Sequence, residues 1–258
     1  MNVKPKKSLG QHFLVDENIL GVIGRLAELR PEDVVLEVGP GLGVLTRYLA
    51  ERARLVHAVE LDRSLEAPLA DALTGFDNVR VAFGDALAVD IDELDPRPGK
   101  LVSNLPYSIA TPLVVESLER APSLERFVVM VQREVADRFF AEPRTKAYGA
   151  VSVLVQLQAR KVGAHPVSPA VFRPRPRVES ALVAFVRVDG GLDVAAVKGV
   201  VEAAFAHRRK TLANSVALTG LASRARVESA LAEIGRLPRA RAEELEPQEF
   251  VALAKVLA

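Results

Sequence analysis

The sequence predicts an α/β fold: a doubly wound, mainly parallel sheet followed by a small all-helical domain. Three observations carry this expectation. Short apolar, β-branched runs alternate with amphipathic segments from Asp33 to about Phe185. The first of these runs leads into a glycine loop that opens a helix. Beyond Gly190-Gly191 the strand signal stops and apolar residues recur at helical spacing.

Taken in order, Val34 to Val38 reads as a buried strand, Leu42 to Arg52 as a helix, Leu55 to Glu60 as the next strand, Ser64 to Leu73 as a helix and Val79 to Phe83 as a third strand. Leu101-Val102-Ser103 supplies a fourth strand, Thr111 to Arg120 a helix, Phe127 to Val131 a strand, and Glu134 to Phe140 and Ala150 to Leu157 two more helices. Strands alternating with helices imply parallel pairing through crossovers. The runs Arg160 to Ala164 and Ala181 to Val188 have no good helical pattern between them and suggest an antiparallel edge pair. Val194, Val197, Val201, Ala204 and Phe205 then mark a helix, with others at Arg226 to Ile234 and Pro247 to Leu257. The expected organisation is a first domain over 1–189 and a helical domain over 190–258.

Bulk properties narrow the function. The 258 residues are 49% hydrophobic and 26% charged, and no apolar run approaches the ~18 residues needed to span a bilayer. The basic start, Met1 to Ser8, is not followed by an apolar signal core, so a cytoplasmic location is expected. The absence of cysteine removes disulfides, thiolate metal sites and thiol nucleophiles. His12, His57, His165 and His207 are scattered without metal-ligand spacing, so no metal is expected. A net charge of +1 conceals two acid-free basic segments. One runs from Arg160 to Arg177 and includes Arg173 and Arg175; the other runs from Phe205 to Arg226 and includes Arg208, Arg209 and Lys210. Such clusters suit a phosphate backbone, although a basic run is also the ordinary composition of a solvated face.

Two motifs carry chemistry. Glu37-Val38-Gly39-Pro40-Gly41-Leu42-Gly43 follows the first strand, where glycines permit a tight turn and close approach of a ligand to the backbone. Asn104-Leu105-Pro106-Tyr107 follows the fourth strand. An aromatic amine is a poor nucleophile because its lone pair is delocalised, and acceptors for both of its protons favour a pyramidal, reactive nitrogen. The Asn104 side-chain oxygen is one such acceptor and a carbonyl held by Pro106 the other, with Tyr107 placed to stack on the base. A nicotinamide enzyme would also use a glycine loop with an acid some twenty residues on, as Glu60 is. Three features favour S-adenosylmethionine instead. Val44 stands where the dinucleotide fingerprint needs a small residue, Asp85 in Gly84-Asp85-Ala86 offers a second carboxylate suited to an adenine amine, and the amine-acceptor motif comes next.

These segments, together with Lys7 to Leu14, Val59 to Asp62, Val131 to Arg138, Phe172 to Ser180 and Phe205 to Leu212, resemble the ribosomal RNA adenine N6,N6-dimethyltransferases, and specifically the small-subunit family. The resemblance covers most of the chain. It implies a Rossmann-like methyltransferase domain that transfers methyl groups from S-adenosyl-L-methionine to N6 of two adjacent adenosines near the 3′ end of small-subunit rRNA. It also implies a 30S particle or precursor as partner and a role in ribosome maturation; a monomer with no membrane or metal partner is expected. By resemblance His12 and Leu14 line the methionine end of the cofactor, and Gly39 and Gly41 belong to its loop. Glu60 binds the ribose and Asp85 the adenine amine. Asn104 touches both the cofactor and the target amine. Tyr107 and Phe172 hold the flipped base between aromatic faces. Many relatives carry Asn where this chain has His12. Three other readings are kept: a large-subunit rRNA adenine methyltransferase conferring antibiotic resistance, a nicotinamide oxidoreductase, and an assembly factor in which binding outweighs catalysis.

Overall fold

The computed structural model describes residues 5–6, 11–188 and 193–258. The Gly190-Gly191 boundary and the Lys7 to Gly10 part of the first motif lie outside the described residues. In chain order the elements are β1 (Phe13–Leu14), α1 (Glu17–Ala27), β2 (Val34–Val38), α2 (Val44–Ala50), β3 (Leu55–Glu60), α3 (Glu66–Ala72), β4 (Val79–Phe83), β5 (Lys100–Asn104), α4 (Ala110–Arg120) and β6 (Arg126–Gln132). There follow α5 (Arg133–Phe139), α6 (Ala150–Gln156), β7 (Ala159–Val167), β8 (Phe172–Arg173), β9 (Ser180–Arg187), α7 (Val194–Phe205), α8 (Leu212–Thr219), α9 (Arg224–Glu233) and α10 (Pro247–Leu257).

Seven strands form one sheet in the order β4-β3-β2-β5-β6-β9-β7, and β1 and β8 form a separate antiparallel pair. From β4 to β6 every pairing is parallel, and β9 runs antiparallel to β6. The doubly wound α/β expectation therefore holds, and the two late β-rich runs are indeed neighbours at one end of the sheet. Central strands such as β2 and β6 are near-continuous apolar runs because both of their faces are covered. The helix expected from Leu42 begins at Val44, since Gly43 adopts φ +77° and its amide closes a turn onto the Pro40 carbonyl at 2.9 Å.

Helix α1 was not read from the sequence, yet its signals are ordinary. Asp16 caps it by accepting from the Asn18 amide at 2.8 Å, and Ile19, Leu20, Ile23 and Ala27 form its buried face. Burying each of the larger side chains contributes about 1.5–3 kcal/mol. Its C-terminal end is pinned to the sheet by Lys100, whose ammonium donates to the Glu28 carbonyl at 2.7 Å and pairs with Asp33 at 2.6 Å. Arg126 adds a bond to the Leu26 carbonyl.

Contacts gather the chain into two units, 1–136 with 160–187 and 137–159 with 188–258. In the second, Tyr148 and Phe250 both pack against Phe205, and the Tyr148 hydroxyl donates to the Leu245 carbonyl at 2.8 Å. Leu212, Val216, Leu231 and Leu253 complete that core. In the first unit, one arginine closes the end of α4. Arg187 donates to the carbonyls of Ser117 and Leu118 in the last turn of α4 and of Ala121 and Leu124 just beyond it, at 2.8–3.3 Å, adding a charged donor where the helix runs out of its own. Replacing Arg187 by Met is expected to lower unfolding free energy in urea by roughly 2–4 kcal/mol, because four carbonyls lose a charged donor at once. An unchanged denaturation midpoint would remove this role.

Candidate active site

The order of the strands dictates where a ligand fits. From β2 the chain winds outward through β3 to β4 and then returns to β5 on the other side of β2, so the loops after β2 and β5 diverge and leave a crevice at their carboxyl ends. A cavity occupies this switch point. It is lined by the glycine loop, by Glu60 and Leu61 after β3, by Asp85 after β4, by Asn104 to Ile109 after β5, and by Gln11 to Leu14 from the N-terminal segment.

The glycine loop could not be built from other residues. Gly39 lies at φ +75° and Gly41 at φ +59°. A Cβ on the first would sit 3.2 Å from the Pro106 ring, and one on the second 3.1 Å from Phe13. The backbone thus passes close under both flanking segments. Glu60, 6% exposed, fixes the loop by accepting from the Gly41 amide at 3.1 Å with one oxygen and from the Asp62 amide at 2.8 Å with the other. Asp85 is exposed, and its Oδ1 caps the following turn by accepting from the Leu87 amide at 3.0 Å.

At the end of β5 the Asn104 Nδ2 donates to the His12 carbonyl at 3.4 Å, which turns its amide oxygen the other way. The Leu105 amide is held by the Met130 carbonyl at 3.0 Å and the Pro106 carbonyl accepts from the Ile109 amide at 3.1 Å, closing the turn that starts α4. Tyr107 is braced by a 2.7 Å bond between its hydroxyl and Ser180 Oγ. Burial pushes its phenol above the usual range, with the Ser180 bond opposing. The His12 ring lies 5.8 Å from the Tyr107 ring at a tilt of 33°, and its Nδ1 bonds the Pro174 carbonyl at 2.7 Å.

A second carboxylate anchors the N-terminal wall. Asp62 accepts from Lys6 Nζ at 2.6 Å, Gln11 Nε2 at 2.9 Å, and the Ser64 hydroxyl at 2.6 Å and amide at 3.0 Å. Burial opposes its charge, but these donors outweigh burial and hold it well below the ordinary carboxylate range. Among the described residues no group of three or more His, Asp or Glu side chains is placed to hold a metal ion, and no helix is long and apolar enough to cross a membrane.

A family model described as Ribosomal RNA adenine dimethylase matches residues 2–258. The chain belongs to that family. The Ribosomal RNA small subunit methyltransferase A of Rubrobacter xylanophilus is 53% identical over 251 residues, spanning 97% of this chain and 94% of that protein. Among solved structures, the 23S rRNA methyltransferase ErmE is 32% identical, with a TM-score of 0.69 over 95% of this chain and 99% of that one. A dimethyladenosine transferase from Plasmodium falciparum has a TM-score of 0.76 over 94% and 96% at 24% identity, a likeness of fold.

In this adenine dimethylase chain the fold brings His12, Leu14, Gly39, Gly41, Glu60, Asp85, Asn104, Pro106 and Tyr107 to one cavity. It does not bring Phe172 there. Phe172 pairs with Leu14 in the β1–β8 ladder and is fully buried in the core cluster, so the expectation that it offers an open aromatic face is corrected. The reason is its pairing with β1: opposite Leu14 the apolar residue turns inward and the adjacent Arg173 turns out. The Pro106 carbonyl, expected to accept from the target amine, is engaged by the Ile109 amide at 3.1 Å, which turns attention to the neighbouring Leu105 carbonyl as the candidate acceptor. Sequence reasoning missed Leu61, 57% exposed beside the cavity, and the Lys6–Gln11–Asp62 cluster. An apolar residue placed between two acids was the available signal for Leu61.

Asp62→Ala is expected to free the N-terminal segment, so that trypsin cuts after Lys6 several-fold faster in the native protein and cofactor affinity falls. Because the Asp62 carboxyl is held down, its stabilisation is complete above pH 3.8 and is lost only as pH falls below that value. Equal cleavage rates in the two proteins would refute the anchor.

Proposed function

We propose that this chain transfers methyl groups from S-adenosylmethionine to N6 of two adjacent adenosines near the 3′ end of small-subunit rRNA, on an assembling 30S particle in the cytoplasm. The observation that carries the reading is the Asn104 amide. Its nitrogen is tied back to the His12 carbonyl, leaving its oxygen to accept, on a turn that shares one cavity with the glycine loop. The 53% identical relative carries a small-subunit name, whereas the 32% identical structure is a 23S rRNA enzyme, which favours the small subunit.

The residues fit the cofactor. The left-handed glycines form a cradle that any Cβ would fill, and Glu37 Oε2 is a buried oxygen without a hydrogen-bond partner, suited to a donor from a ligand. In this reading Glu60 takes the ribose hydroxyls on its remaining lone pairs, Asp85 Oδ2 accepts from the adenine amine, and Leu61 covers the adenine face. His12 and Leu14 line the methionine end. The cofactor, when bound, supplies an electrophilic methyl on a sulfonium. Asn104 Oδ1 and the Leu105 carbonyl accept the two protons of the target amine and so raise the lone pair toward attack. Tyr107, its ring fixed by Ser180 and flanked by His12, stacks on the extruded base. That stacking, at about 1–3 kcal/mol, offsets part of the cost of unstacking. The nitrogen, once positively charged, loses its proton to water, so no strong general base is required.

Phosphates have separate partners. Arg175 and Arg177 are exposed beside the turn bonded to His12, and Arg209 and Lys210 are exposed in the turn before α8. Arg208 is engaged with the Lys146 carbonyl at 2.6 Å, which makes its two neighbours the cleaner probes.

Undermethylated small subunits incubated with the protein and labelled cofactor should gain reverse-transcriptase stops at two adjacent adenosines. Asn104→Ala should lower turnover by about 10²–10³ while cofactor affinity changes far less. Label entering large subunits, or a variant of undiminished turnover, would overturn the reading. Replacing both Arg209 and Lys210 by alanine should reduce the slope of log affinity against log salt by about one unit for each phosphate that is no longer neutralised. An unchanged slope would assign them to the solvated surface.

A further inference from the structure

Glu37 is a strand-end carboxylate at the cavity to which the sequence motif assigns no task. It is 1% exposed at the end of β2 and lines the same cavity as the glycine loop, and its Oε2 has no partner. The Thr46 hydroxyl of α2, also buried, is the polar neighbour that favours the Glu37 charge, though it lies outside ordinary hydrogen-bond geometry and has no other partner. Among the described residues no cation acts on Glu37. From β5, the Ser103 hydroxyl is committed to the Val38 carbonyl at 2.5 Å; from β3 comes another acid, Glu60. Of the ionisable groups lining the cavity, His12, Glu60, Asp85 and Tyr107, Glu60 is the one that acts on Glu37, and it does so by repulsion.

We propose that Glu37 is a proton-exchange site coupled to cofactor uptake: it is held as the neutral acid in the empty protein and releases its proton to solvent when a ligand ammonium enters the cavity to pair with it. The inference rests on the reading of the cavity as the S-adenosylmethionine site, and it assigns the ligand's amino group to Glu37. In the exchange the Glu37 O–H bond breaks, its proton passes to buffer, and the carboxylate gains the ammonium N–H as donor. Charge balances locally at Glu37, because one ammonium arrives as one proton leaves; the ligand's carboxylate and, in S-adenosylmethionine, its sulfonium come in addition. A buried carboxylate without a counter-charge is costly, whereas an ion pair with a donor in place satisfies both partners. Burial pushes the Glu37 carboxyl up to about 8 from its ordinary 4.5, against the lowering effect of Thr46 and with the Glu60 charge adding to the rise.

The test uses the full chain and S-adenosylhomocysteine, which carries the same amino group without the reactive methyl. Calorimetric titrations at pH 7 in two buffers of different ionisation enthalpy should show close to one proton released per ligand bound. Between pH 6 and pH 7 the Kd should fall about tenfold, since one proton leaves on binding. Glu37→Gln should bind more weakly, with no proton released and a flat pH profile. As a variant that leaves the carboxylate in place, Thr46→Val should shift the midpoint of the pH profile upward. In the empty protein the folded state keeps a proton that the unfolded chain sheds above pH 4.5. Its melting temperature should therefore decline as pH rises toward 8, less steeply in Glu37→Gln. Tight binding with no proton released and a Kd independent of pH would overturn the inference and leave the cofactor reading intact. Failure of the unmodified protein to bind the ligand at any pH would overturn both.

Discussion

One buried carboxylate sets the geometry of the cavity. Glu60 ends β3, whose register against β2 is fixed by parallel pairing from Val34↔Leu55 to Val38↔Val59. From that height its two oxygens reach the Gly41 amide in one loop and the Asp62 amide in the next. The loop after β2 and the turn after β3 thereby share an anchor, and Asp62 passes the constraint on to Lys6 and Gln11. Three walls built from separate stretches of sequence are held to the end of a single strand. Such a site is rigid because the sheet is rigid, and transition-state acceptors are effective only when they need no reorganisation.

Much of this was legible in the sequence for a physical reason. Buried parallel strands are largely apolar, and β2 and β3 stand out as short β-branched runs; the edge strand β4, though mostly exposed, is equally short and β-branched, and all three have the bounds that the sequence indicates. Glu60, Asp85 and Asn104 recur at successive strand ends, and the topology converts that serial order into proximity. What escaped depended on pairings remote in sequence or on weak local signals. Helix α1 contains Gly21 and Gly24, which dilute its helical pattern; a side chain at Gly24 would displace the Tyr48 ring packed against it. The two-residue strands β1 and β8 are too short to leave a periodic trace. The inward turn of Phe172 follows from that pairing alone. An aromatic residue in a basic, proline-rich segment looks exposed until its partner strand is known.

Asp62 and Glu37 also show how environment separates chemically similar groups. Asp62 is surrounded by donors from Lys6, Gln11 and Ser64, one of them an ammonium, so its charge is favoured despite burial. Glu37, just as inaccessible, faces a hydroxyl and a second acid, so its charge is disfavoured. The sequence places both at strand ends and does not distinguish them. The difference lies entirely in which side chains the fold gathers around each.

The β1–β8 ladder joins residues 13 and 173, and the His12 ring bonds the carbonyl of residue 174. One flank of the cavity is therefore finished only after some two thirds of the polypeptide exists. During synthesis, the sheet from β2 to β6 can assemble while the N-terminal segment still lacks its mate. A competent pocket is consequently a late product of translation, and a chain truncated before residue 172 would own the glycine cradle without the strand that closes it.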